Sequence, residues 1–180
     1  KEVPPPEADN AYKGGKDAKV VIQLWSDYQC PFCKRVEPTV TEIEKEYGNK
    51  VKIVWRDLPL PFHQEAPGAA QAAREAYAQK GNAGFWKFHA ALFEAQGNPD
   101  GIKRPGLDKI AQDVGLDMAK FKEAMDSGKH KARVDKDAEV ANKAGVSGTP
   151  SFVINGYYIS GAQPISAFKK VINRAMKEVK

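Results

Sequence analysis

Two side chains in this sequence suit reversible covalent chemistry, Cys30 and Cys33, in the run Cys30-Pro31-Phe32-Cys33. A thiolate is both the nucleophile of disulfide exchange and a soft metal ligand, so the pair admits several chemistries. It fits a redox pair, half of a metal site shared between two chains, a soft-ligand copper site, or an inert bridge. A bridge across two residues closes so small a ring that it gains little loop entropy. A chain of 180 residues removes roughly 70% of its unfolded surface from water on folding, and it needs no cross-link to be stable. With only 2 cysteines, a disulfide scaffold and a four-cysteine zinc site within the chain are both excluded.

The elements around the pair decide among these readings. Val20-Val21-Ile22-Gln23-Leu24-Trp25 is a near-continuous apolar run of strand length, as in a strand covered on both faces. Cys33, Val36, Val40, Ile43 and Tyr47 then recur every three or four residues, the stripe of a helix ending at Gly48. Pro38 inside that stripe is expected to bend or break it. Val51 to Trp55 reads as a second strand, and strand-helix-strand is a right-handed parallel crossover. Residues 64–144 read as an Ala-rich block of helices punctuated by Gly, Pro and Asp. Phe152-Val153-Ile154, Asn155-Gly156 and Tyr157-Tyr158-Ile159 form a hairpin signal, and Pro164 opens a last helix carrying Ile165, Phe168, Ile172, Ala175 and Val179. Residues 1–17, with Pro4-Pro5-Pro6 and Gly14-Gly15, read as a flexible leader or linker.

On this layout the first strand runs into a turn and Cys30 opens the helix. Free N–H groups and the positive end of the helix dipole favour an anion there, and Lys34 and Arg35 add positive charge. Cys33 lies on the buried stripe. The expected outcome is an exposed, acidic nucleophile and a shielded thiol that resolves a mixed disulfide, the asymmetry that exchange requires. A CxxC between a strand and a helix of this plan is the context of a redox motif.

Charge adds little. Lys plus Arg number 28 against 23 Asp plus Glu, a net +5, but the signs are interspersed and no run of five like charges occurs. Nucleic acid is therefore not an expected partner. No apolar stretch reaches the ~18 residues of a membrane span. The chain begins at Lys1 with no Met and no signal segment, which reads as a mature or trimmed exported chain. His63, His89 and His130 lack the spacing of a metal triad; His89 reads as a packed, satisfied histidine and His130 as exposed. Phe85, Trp86, Phe88 and Phe93 read as the core of the helical block. Ser26 and Ser151 have no base at a telling spacing.

Ser26-Asp27-Tyr28-Gln29-Cys30-Pro31-Phe32-Cys33 resembles the active-site segment of the DsbA-like thiol-disulfide oxidoreductases of the thioredoxin superfamily. Leu58-Pro59-Leu60-Pro61-Phe62-His63, Phe85-Trp86-Lys87-Phe88-His89 and Gly145-Val146-Ser147-Gly148-Thr149-Pro150-Ser151-Phe152 extend the resemblance over residues 18–180. It implies an α/β thioredoxin fold over residues 18–63 and 145–180, with residues 64–144 as an inserted helical domain. It also implies Cys30 as nucleophile, Cys33 as resolving thiol, and a cis Pro150 facing them, with Thr149 and Phe32 at the substrate. The substrates would be protein or peptide thiols and disulfides, recycled by a redox partner, with no cofactor and no metal. The compartment would be extracytoplasmic, a bacterial periplasm, with the leader as a possible tether.

Two positions depart from that family's pattern. Leu24 stands six residues before Cys30, where many members carry the acid that relays the buried thiol's proton. Asp27 reads as a helix cap; Glu37, one turn beyond Cys33, reads as a candidate relay or as a solvated helix acid, with water as the alternative relay. Phe32 stands where strong oxidants often place a histidine, so Cys30 is expected to be less acidic and the couple less oxidising. The rival readings are a copper- or zinc-handling module and a docking domain that retains the fold.

Overall fold

The computed structural model describes residues 3–180. Five strands form one mixed sheet in the order β1-β3-β2-β4-β5. The central pair, β2 (Val20–Ser26) and β3 (Val51–Asp57), is parallel and in register from Val20 opposite Val51 to Ser26 opposite Asp57. Between them runs α1 (Pro31–Tyr47), so the crossover read from the sequence is present. Pro38 neither breaks nor ends α1, which continues through it to Tyr47.

β4 (Ser151–Ile154) pairs antiparallel with β2, and β5 (Tyr157–Ser160) pairs antiparallel with β4. Asn155 and Gly156 turn the hairpin, both with positive φ (44° and 91°), as a type I′ turn demands. The chain closes with α6 (Ile165–Glu178). Between β3 and β4 lie α2 (Ala66–Ala95), α3 (Arg104–Val114), α4 (Met118–Ser127) and α5 (Lys131–Ala144). Gly81, at φ 66° and ψ −154°, marks a kink between the two halves of α2. This is a thioredoxin-fold sheet with a helical insertion.

Strand alternation sorts the core into two layers. Ile22 and Leu24 of β2 join Cys33, Val36, Val40 and Ile43 of α1 and Phe168 and Ile172 of α6 in the larger cluster. Trp25 and Val153 face the other way and pack with Ala141 and Val146. The insertion has no separate core: Phe85 and Phe93 of α2 pack around Trp55 of β3 and Tyr28 of the active-site turn.

The flexible leader expected over residues 1–17 is corrected by the structure. Lys1 and Glu2 lie outside the described residues, but Tyr12–Gly14 form β1, an antiparallel edge strand on β3. Gly14 is required there, since its φ is 89° and a Cβ would stand 2.2 Å from Val51 O. Asn10 and Ala11 are buried. Asn10 Nδ2 donates to Trp55 O at 3.1 Å and to both oxygens of Asp137 at 3.3 Å. Asp137 also receives Arg56 Nε at 3.1 Å, a pair with both side chains buried. A three-residue edge strand has no periodicity to read, and its anchor is one polar side chain.

Removing that anchor leaves part of a buried carboxylate unsatisfied. Asn10→Ala is therefore expected to lower unfolding stability by about 1–3 kcal/mol in urea titration. Wild-type stability would mean that the segment before β1 is not integral to the domain.

Candidate active site

β2 ends at Ser26 and α1 begins at Pro31, so the turn between them projects the cysteines at the end of the parallel strands. Cys30 occupies the cap position of α1, and its carbonyl accepts from the N–H groups of Cys33 and Lys34. Cys33, one turn in, is fully buried under the helix. The expectation of an exposed Cys30 is corrected: it is only 4% exposed, with Sγ 3.7 Å from the carbonyl oxygen of Thr149. The loop before β4 covers it. The Thr149–Pro150 peptide bond is cis, and Pro150 is buried.

Burial and hydrogen bonding separate the two thiols. Cys30 is lowered from 9.0 to about 6, first by the hydrogen bond from Cys33 and then by Thr149 and the backbone N–H groups of Cys33 and Phe32, against the opposing effect of burial. Cys33 is pushed far up, first by burial and then because its proton is held by Cys30. The structure thus brings Cys30, Cys33 and Thr149 together at one point. Lys34 and Arg35 are not among the groups that set Cys30. The Arg35 guanidinium lies over the Phe32 ring, 4.9 Å from its centroid.

A family model described as Thioredoxin (Thioredoxin_4) matches residues 7–174. The chain belongs to the thioredoxin family. It is 33% identical over 174 residues to Na(+)/H(+) antiporter NhaA 3 of Salinispora tropica, covering 94% of this chain but only 25% of that protein. It is 27% identical over 170 residues to disulfide bond formation protein D of Bacillus subtilis, covering 91% of this chain and 76% of that one. The crystal structure of oxidised BdbD from Bacillus subtilis superposes with a TM-score of 0.88 at 24% identity, covering 98% of this chain and 97% of that chain.

Within this site, the residues outside the cysteine pair take places that spacing alone did not reveal. Leu24, opposite Trp55 in the parallel ladder, is buried in the core beneath the cysteines. Asp27 does not cap α1, and this expectation is corrected. Its Oδ1 accepts from Gln29 N at 2.7 Å and its Oδ2 from Leu60 N and His63 Nδ1 at 2.8 Å, bracing the Leu58–His63 loop against the turn. Glu37 is hydrogen-bonded to His89, whose other ring nitrogen meets Tyr28 Oη at 3.0 Å. Gln96, at the end of α2, donates to the carbonyls of Tyr28 and Cys30 at 2.8 and 3.0 Å. The insertion therefore holds both sides of the active-site turn.

His89 is buried and partnered on both nitrogens, in line with its reading as a satisfied histidine. His130, expected to be exposed, is instead half-buried because it meets the buried Glu75 carboxylate of α2 at 2.8 Å. Among the described residues, no group of three or more His, Cys, Asp or Glu side chains is arranged to hold a metal ion. Among the same residues, no helix is long and apolar enough to cross a membrane. Phe32 and Phe62 are exposed, at 52% and 74%, and flank the cysteines on the α1 and Leu58–His63 sides.

The thiol difference has a stability counterpart. A folded-state value depressed from 9.0 to about 6 contributes stability that is present above 9.0 and lost as pH falls through about 6. This applies only to the reduced protein. The stability advantage of reduced over oxidised protein is therefore expected to shrink between pH 9 and pH 6, as read by denaturant titration of both forms. Alkylation followed by mass analysis is expected to modify Cys30 with a midpoint near pH 6 and to spare Cys33. A Cys30 midpoint at the ordinary thiol value would contradict the geometry.

Proposed function

We propose that this DsbA-like chain is a thiol-disulfide oxidoreductase that donates its Cys30–Cys33 disulfide to protein thiols. One observation carries the reading: Cys30 sits at the start of α1 against Thr149 while Cys33 is fully buried one turn on, an arrangement that favours thiolate at Cys30 and thiol at Cys33. A stabilised Cys30 thiolate favours the reduced enzyme, and so favours passing the disulfide to the substrate.

In that direction a substrate thiolate attacks Cys30 Sγ. The Cys30–Cys33 bond breaks, and Cys33 leaves as a thiolate that takes up a proton. A second substrate thiolate attacks the substrate sulfur of the mixed disulfide and releases Cys30 as a thiolate. Two electrons pass from substrate to enzyme, and a disulfide-bearing recycling partner takes them in turn. The electrons reside in the cysteine pair, so the step calls for no cofactor.

Substrate binding falls to the groups around Cys30. The backbone of Thr149, held by Pro150 beside the sulfur, offers an edge to an extended segment. Phe32 gives that segment an apolar contact next to the reacting atom. The compartment we assign is extracytoplasmic, bacterial periplasm or its equivalent, because disulfides passed to substrates persist where the surroundings are oxidising. A docking role alone would need neither the burial of Cys33 nor the thiolate-favouring position of Cys30. A copper- or zinc-handling role would have only these two thiols as its cysteine ligands.

The test is covalent capture. With the resolving thiol removed, Cys33→Ser is expected to accumulate a one-to-one mixed disulfide with a reduced, unfolded protein in mild oxidant, while Cys30→Ser captures none. Equal capture by the two variants would overturn the assignment of roles. Stoichiometric metal retained by the reduced wild-type protein would favour the metal-handling reading.

A further inference from the structure

Cys33 must lose a proton whenever it attacks Cys30 and gain one whenever it leaves, yet it sits where water does not reach. Three nearby carboxylates are already engaged. Glu37 is hydrogen-bonded to His89, Asp27 accepts from three donors, and Asp137 accepts from Asn10, Arg56 and the Asp57 N–H. Asp57, the last residue of β3, is different. It is 2% exposed; its Oδ1 accepts from Trp55 Nε1 at 2.8 Å, and its Oδ2 has no partner.

The sheet places Asp57 in the right row. Leu24 and Trp55 are paired in the parallel ladder and both point into the core that contains Cys30 and Cys33. Two residues further on, Ser26 and Asp57 are paired and point to the same face, because side chains alternate along a strand and neighbouring strands lie about 4.8 Å apart. Ser26 Oγ is buried without a formed hydrogen bond and lies beside Cys33, where its hydroxyl favours the thiolate. Two buried oxygens without partners thus lie on the same face of adjacent strands, one of them next to the resolving thiol.

We propose that Asp57 is the proton acceptor and donor for Cys33, acting through the Ser26 hydroxyl. The inference rests on the exchange activity proposed above. In resolution, the Cys33 proton passes to Ser26 Oγ as the Ser26 proton passes to Asp57 Oδ2. Cys33 Sγ then bonds to Cys30 Sγ, and the substrate sulfur leaves as a thiolate. In substrate oxidation the proton runs back. The acid missing at Leu24 is thereby supplied from the neighbouring strand.

Electrostatics supports a group that changes protonation near neutrality. Burial lifts Asp57 from 3.8 to about 7, and Asp137 of α5 adds to the rise. The Trp55 hydrogen bond, Arg74 of α2 and Arg133 of α5 act in the other direction. Arg56 is spent on Asp137, and Tyr28 stays protonated beside Asp57 and Glu37. A base with a value close to the working pH is the effective one.

Reduced full-length protein mixed with oxidised glutathione forms a Cys30–glutathione adduct that Cys33 then resolves, and acid quench with mass analysis follows both species. The wild-type resolution rate is expected to rise through an inflection near pH 7. Asp57→Asn is expected to lose that inflection and to resolve about ten-fold or more slowly. Cys30 should keep its own midpoint near 6, a readout that general destabilisation would move. Resolution by Asp57→Asn at the wild-type rate, with the inflection in place, would overturn the proposal. Should Asp57→Asn not fold, Ser26→Ala serves instead, with slowed resolution expected and a wild-type rate contradicting. A wild-type protein that forms no adduct would instead sink the exchange reading itself.

Discussion

Much of this structure serves one pairing, that of the buried Cys33 thiol with the Cys30 sulfur at the start of α1. It holds a proton on the inner sulfur and charge on the outer one. It needs a thiolate site with free N–H groups, a buried neighbour one helical turn away, and little water. The first comes from the helix start at Cys30. The second follows from Cys33 heading the apolar stripe of α1. The third is met by the Thr149–Pro150 loop closing over Cys30, and by β2 and its neighbours beneath Cys33.

The inserted helices act at the same point. Gln96 holds the carbonyls of Tyr28 and Cys30, and Asp27 fixes the loop after β3 to the turn. Glu37, His89 and Tyr28 tie α1, α2 and the turn into one buried chain. A helix start alone lowers a thiol modestly. A helix start whose turn is held on several sides fixes both cysteines in place through the groups around them.

Local pattern carried the parts of this architecture that depend on local pattern. The apolar run from Val20 to Trp25, the stripe from Cys33 to Tyr47 and the Asn155-Gly156 turn each report their own element, because periodicity and φ preference are properties of neighbours in sequence. The cysteine asymmetry was legible for the same reason. What stayed hidden depends on pairs far apart in the chain. β1 is three residues long and held by Asn10 against Asp137, 127 residues later. Asp27 looked like a cap because it stands just before a helix, yet its partners lie beyond β3. Asp57 lies past the strand read from Val51 to Trp55, and only the register of β2 and β3 sets it opposite Ser26. A rule tied to six positions before the nucleophile searched β2, while the carboxylate stood on β3.

This arrangement stabilises the reduced pair, but less than a site with a further donor in place of Phe32 would. The reduction potential of Cys30–Cys33, measured at equilibrium with a glutathione buffer, tests it most directly, since about 30 mV corresponds to about 1.4 kcal/mol for this two-electron couple. The expected value lies between about −270 mV, that of thioredoxin, and about −120 mV, that of DsbA. A potential at or below the thioredoxin value would contradict stabilisation of the reduced pair by these surroundings.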